Sequence, residues 1–145
     1  MTNVYHVDFK SKKLISLDVF EKESSKRSLE KLAHFTKLIE SGLTQVFVDS
    51  SVDNVILPIH IKVSLVCQMN WSHRFNIPDF EYDSKGIRGT LTFSKLPFYV
   101  NLPWSSIWII HLPEKGKEFY KAWEKDAPPG FLKIIENQLY EERNT

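Results

Sequence analysis

Five histidines are the first residues to ask about chemistry, because imidazole is the commonest metal ligand and general base near neutral pH. His6, His34, His60, His73 and His111 form no His-x-x-x-His or His-Glu-x-x-His pattern, and no second cysteine is present to complete a metal set. A surface or structural role is expected for each, with no metal and no cofactor. A nucleophilic thiol needs a neighbouring base and usually a helix N-terminus. Cys67 lies in an alternating apolar run between Val66 and Met69 with neither, so it reads as a core thiol. Gly-x-Ser-x-Gly is absent, and Trp104-Ser105-Ser106 lacks flanking glycines. Glycines at 42, 86, 89, 116 and 130 assemble neither Gly-x-Gly-x-x-Gly nor a Walker loop, so no phosphate cradle is visible. Asp79 with Glu81, and Asp49 with Asp53, fall among turn residues, where carboxylates cap or meet solvent. The chain is therefore not expected to be an enzyme, and a hydrolase using His73 or His111 is the weakest reading.

Two aromatic groups could stack on bases as in single-strand binders: Phe75, Phe80 and Tyr82, then Phe93, Phe98, Tyr99, Trp104 and Trp108. Between 75 and 112 only Lys85, Arg88 and Lys95 are basic, too few for a nucleic-acid groove, so these rings are expected to pack the core. Nineteen Lys plus Arg against eighteen Asp plus Glu leave a formal charge of +1 and no field to steer a polyanion. Neither nucleic acid nor a membrane is an expected partner. The longest apolar run, Ile107 to Ile110, is far too short to span a bilayer. Met1 to Leu14 carries Asp8, Lys10, Lys12 and Lys13 instead of a secretory apolar stretch, and a lone cysteine suits a reducing compartment. A cytoplasmic location is expected.

The elements that must hold these residues follow from periodicity. With 145 residues, 42% hydrophobic and 13% aromatic, the chain suffices for one domain and a core without disulfides. Leu29, Leu32, Phe35, Leu38 and Ile39 recur at three- and four-residue spacings, which predicts an amphipathic helix over 25–41, N-capped by Ser24 or Ser25 and closed by a left-handed Gly42. From Leu43 to His111 the period becomes two, predicting strands at Gln45–Asp49, Val55–Leu57, Val63–Met69, Arg74–Ile77, Ile87–Ser94 and Phe98–Leu102. Asp83-Ser84-Lys85-Gly86 reads as a turn before Ile87. Helices are expected over 114–125 and 131–142, separated by Pro128-Pro129-Gly130. An extra strand within Val4–Phe9, capping an open edge, is a further expectation. A small barrel or sandwich is the natural closure, and such a sheet commonly offers a groove for an extended peptide.

The segment Ile87-Arg-Gly-Thr-Leu-Thr-Phe-Ser-Lys-Leu-Pro97, followed by Phe-Tyr-Val-Asn-Leu-Pro-Trp-Ser-Ser-Ile-Trp-Ile-Ile110, resembles the stringent starvation protein B (SspB) adaptor family. Phe93, Leu96, Pro97, Leu102-Pro103 and Ile107–Ile110 keep the family's spacing. Upstream, Gly42 to Asp49, Val55 to Pro58 and Val63 to Cys67 follow the family's order, so the likeness spans about residues 25–111. It implies an α+β, mainly β fold: a small Sm-like, SspB-like β-barrel with an N-terminal amphipathic helix and C-terminal helices. The single domain 1–145 would comprise the SspB-like core 25–111 and a helical extension over 112–145. It also implies a non-catalytic adaptor that binds ssrA-type or other C-terminal degradation tags and delivers tagged proteins to the ClpXP protease through ClpX. The peptide would lie on Leu65, Cys67, Leu91, Thr92, Phe93 and Ser94. A homodimer would form through the helix, with Leu29, Leu32, Phe35 and Ile39 as its seam; the alternative is that this stripe covers the chain's own barrel.

The departures are as informative. Thr92 stands where the family has Arg, and Ser94-Lys95 replaces Gly-Gly, so the groove offers a hydroxyl instead of a charge-assisted contact to a carboxylate. The stretch between Cys67 and Ile87 is longer than in the family and brings Trp71, Phe75, Phe80 and Tyr82 towards the same region. Residues 114–142 read as ordered helices, with no Gly- or Ser-rich linker leading to a basic ending among them. An SspB-like interaction domain with a dedicated partner and no delivery role is the alternative reading.

Overall fold

The computed structural model describes residues 5–8, 13–64 and 66–141. At the N-terminus β1 (Tyr5–Asp8) and β2 (Lys13–Ser16) form an antiparallel hairpin that joins neither of the other two sheets, so the strand expected near Val4–Phe9 is present but caps no edge of them. Next comes α1 (Leu17–Ile39), which starts well before the expected boundary. Ser24 and Ser25 therefore lie inside the helix, not at its cap; a serine marks a possible cap and does not oblige the chain to begin there. At the other end the Ser41 and Gly42 N–H groups both reach the Leu38 carbonyl, at 2.9 and 3.2 Å, while Gly42 sits at φ 155° and not in the left-handed helical well.

The remaining strands divide into two antiparallel sheets. The first comprises β3 (Thr44–Val48) and β4 (Cys67–Trp71), completed further along by β8 (Ile107–His111) and β9 (Lys121–Ala122), in the order β4-β3-β8-β9. The second contains β5 (Glu81–Asp83), β6 (Gly86–Phe93) and β7 (Leu96–Pro103), in chain order. Every residue of β8 is buried. Two cores explain why its sequence is apolar without alternation. Ile107 and Ile110 face the main core of Phe35, Leu38, Val46, Trp71, Leu102 and Trp104, whereas Trp108 and Ile109 join Phe47, Ala127 and Ile135 on the opposite side.

Several expected strands are corrected. Ile59–Lys62 forms one helical turn, α2, because the Pro58 carbonyl accepts the Ile61 and Lys62 N–H groups at 3.0 and 2.9 Å, so the strand expected from Val63 begins only at Cys67. Val55–Leu57 contributes a single bridge, Ile56 to Asn101. Where Arg74–Ile77 was expected as a strand, His73–Phe75 is a 3-10 turn whose Arg74 N–H is taken by Ser72 Oγ at 3.2 Å. The helix expected over 114–125 is replaced by turns around β9, whose pairing to β8 is continued by the Trp123 N–H on the Trp108 carbonyl at 2.8 Å. The last helix, α3 (Phe131–Glu141), stands as expected.

The architecture is thus α+β and mainly antiparallel strand, but the sheets do not close into a barrel. Among the described residues, one edge of the first sheet, β4, and the part of β6 beyond β5 have no strand partner on their outer sides. No helix among the described residues is long and apolar enough to cross a membrane.

Candidate functional site

The hairpin of β6 and β7 explains how an open edge arises. Its register ends at Phe93 opposite Leu96, with Ser94 at φ 50° and Lys95 at φ 69°, the paired left-handed residues of a two-residue turn suited to twisted strands. In such a hairpin the closing pair exchanges both ladder hydrogen bonds, and alternate residues turn N–H and C=O away from the partner strand. Arg88, Thr90 and Thr92 are therefore the outward residues of β6. Arg88 pairs with Glu81 of β5. The Thr90 N–H donates to Asp79 Oδ1 at 2.7 Å, and its hydroxyl to Oδ2 at 2.6 Å, so a carboxylate stands in for the strand that has ended. Thr92 comes next, and its outward N–H and C=O find no partner among the described residues. The same parity holds on β7: Asn101 exchanges backbone bonds with Ile56 at 3.0 and 3.1 Å, and Pro97 and Pro103 occupy outward positions where no ladder N–H is needed.

Between this edge and β4 lies a groove of about 560 Å³. Thr90 to Phe93 form one wall, Gln68, Met69 and Asn70 the other, while Ile61 and the segment Phe75 to Pro78 close the ends. Leu91 and Phe93 are half-buried and pack on the main core, giving the groove an apolar floor. The His60 ring meets Phe93 edge-on, with centroids 6.0 Å apart. Gly89 lets the far wall come close, since a Cβ there would sit 3.1 Å from Ile77 Cγ2 and 3.4 Å from the Phe80 backbone. Asn70 Oδ1 accepts from Gln45 Nε2 at 3.1 Å, which leaves its amino group as a donor.

Of the residues the sequence nominated for a peptide, Leu91, Thr92 and Phe93 line the groove together. Ser94 is exposed in the turn beside it. Cys67 is buried in the core, its thiol donating to the Ile61 carbonyl at 3.1 Å, and Leu65 lies outside the described residues. Gln68, Asn70, Asn76 and Pro78 were not nominated; Asn76 and Pro78 carry a turn signal, but nothing in β4 itself marks its free side. In the longer stretch before Ile87, Phe75 reaches the groove, whereas Trp71 stacks on Phe80 at 5.2 Å and Tyr82 packs edge-on against Phe35 at 5.2 Å. The expected dimer seam is corrected: Phe35 and Ile39 are buried in this chain's own core and Leu32 packs against it, which leaves only Leu29 of the four exposed.

Electrostatics around the groove comes from its rim. The Thr90 hydroxyl and N–H hold the Asp79 carboxyl below the usual carboxylate range, and the Arg88 guanidinium does the same for Asp83. His34 donates or accepts at Phe119 O across 2.8 Å, with its pKa lowered chiefly by burial, and His111 Nε2 lies 2.7 Å from Gln45 Oε1. Among the described residues no group of three His, Cys, Asp or Glu side chains gathers as metal ligands would. What the groove can do is hold an extended chain by its backbone.

A scan against family models matches none, and no curated protein matches the chain.

Proposed function

We propose that the protein is a non-catalytic peptide-binding adaptor, which seats an extended C-terminal segment of a client beside β6 and presents it to a protease of the ClpXP type. The observation that carries this reading is the outward backbone of Thr92 at the edge of an apolar-floored groove. A guest strand placed there gains main-chain hydrogen bonds for affinity, while Leu91, Phe93, Ile61 and Met69 receive alternate side chains. The reading agrees with the SspB-like pattern of residues 87–110, and the fold would then be an opened form of the Sm-like barrel.

Fluorescence anisotropy of a labelled ssrA-type peptide, against a version with scrambled terminal residues, tests it. Saturable binding of the native peptide, weakened at least tenfold in Thr92→Pro, is expected, because proline removes the outward N–H without touching the β6–β7 ladder. Absence of binding well above micromolar concentration overturns the reading. Delivery is tested separately by adding the protein to a ClpXP degradation assay of a tagged substrate, where faster turnover at limiting substrate is the expected result.

A second reading is a dedicated folded partner on the same face. It is favoured by exposed Ile59, Val63 and Leu96, which are 73%, 70% and 70% accessible. Co-purification of one stoichiometric partner whose binding Leu96→Asp abolishes would select it.

A further inference from the structure

The groove has a chemical property that the peptide reading alone does not specify. None of the side chains lining it carries a formal charge. The polar residues along it, Gln68, Asn70, Asn76, Thr90 and Thr92, are all neutral amides or alcohols. The ionised group at its rim, Asp79, already spends both oxygens on Thr90. An ionised guest side chain entering this space would leave water for an apolar floor and dipoles that cannot neutralise it, and such burial is costly without a countercharge. A neutral strand meets no such penalty. Its backbone finds the Thr92 N–H and C=O, and the side chains turned inwards find the apolar floor.

We propose that the groove selects extended segments whose floor-facing side chains are uncharged and rejects acidic and basic side chains at those positions. The inference rests on the peptide-adaptor reading and narrows it: the client side chains that turn towards the floor at Leu91 and Phe93 include no Asp, Glu, Lys or Arg, while the alternate ones, which face solvent, are unrestricted. Because no ion pair forms across the groove, affinity is independent of ionic strength, unlike recognition by a charged pocket.

The test uses the full chain and a short fluorescent peptide of Ala, Val, Ser and Asn, capped at both ends, with an Asp version and a Lys version in which both of two adjacent central residues are replaced, so that one of each pair faces the floor. The neutral peptide is expected to bind with the same affinity at low and high salt, and each charged version about tenfold or more weakly. Equal or tighter binding of either charged version to the unaltered protein overturns the selectivity but leaves the adaptor reading standing. If neither these peptides nor an ssrA-type peptide binds, the adaptor reading itself falls, and this inference with it.

Discussion

Asp79 does with a side chain what β5 does with a backbone: it accepts the Thr90 N–H two residues beyond the last pair of the β5 ladder. Its pKa and that of Asp83 are both depressed by the hydrogen bonds that hold them. A group whose folded pKa lies below its unfolded value adds stability that is fully present above the unfolded value, about 4 for Asp, and is lost as pH falls through the folded value. Urea midpoints are therefore expected to lose this contribution only below about pH 4, with a shallower acid decline in Asp79→Asn, and amide exchange at Thr90 faster in Asp79→Ala. Gly86 is a second single-residue constraint. Its φ is 148°, and a Cβ there would strike the Leu102 carbonyl of β7, so Gly86→Ala is expected to cost about 2–3 kcal/mol in urea unfolding, whereas Ala at the exposed Ser84 changes little. Such residue-level facts were half legible. Alternation placed Leu91 and Phe93 on the same face and Thr92 on the other, but it could not show that β5 would stop short of Thr92.

Among the elements, α1 is held by more than its apolar stripe. Lys31, fully buried, donates to the Trp104 carbonyl and to Asp126, both at 2.7 Å, while Arg27 reaches the same carboxylate at 2.9 Å. Trp123 adds its indole N–H to Glu30 at 3.2 Å. This cluster fastens the segment before α3 to a helix more than ninety positions earlier in the chain. Burial lowers the Lys31 pKa, and Asp126 opposes that shift, so the carboxylate is what makes the buried cation tolerable. Asp126→Asn is expected to cost about 3–5 kcal/mol, because it leaves a buried charge without a countercharge, whereas Lys31→Met, which keeps the Arg27–Asp126 pair, is expected to cost markedly less. Denaturant titration of the two variants decides the order. The β6–β7 turn gives a prediction of opposite sign. Ser94 and Lys95 adopt left-handed angles that Asn and Gly accept more readily, so Asn-Gly at 94–95 is expected to raise stability by about 1 kcal/mol, read as a higher urea midpoint. Periodicity revealed that Leu29, Leu32, Phe35 and Ile39 share a face, but not what covers them: a stripe buried on its own sheets and one buried on a second copy look alike in sequence. Ile59-His60-Ile61-Lys62-Val63 alternates like a strand and is helical over 59–62 because Pro58 starts a turn there. Phe119, Tyr120 and Trp123 imitate one helical face, yet Phe119 packs on the main core and Tyr120 on the second.

For the molecule as a whole, the α+β class and the β6–β7 hairpin were written in local pattern, whereas β8, buried on both sides and so without alternation, was not, and neither was closure. Whether strands close into a barrel depends on pairings between distant residues, and the 76–80 segment passes over Gly89 in place of direct pairing between β4 and β6. The groove is the consequence, and it makes a mechanical prediction distinct from binding itself. A guest strand on β6 lies against the free edge of β4 as well, so it ties together two sheets whose strands, among the described residues, do not pair with one another. Amide exchange should then slow at Thr92 and within Cys67–Trp71 when peptide is added, while α3, on the opposite face of the first sheet, keeps its rates. Linkage sets the scale of the accompanying stabilisation: about 2.7 kcal/mol at a hundredfold excess over Kd, for a ligand that binds only the folded chain. Protection confined to β6 would mean that the guest augments one sheet only. Protection on both edges would mean that the client completes the fold, so that seating a segment and stiffening the adaptor are a single event.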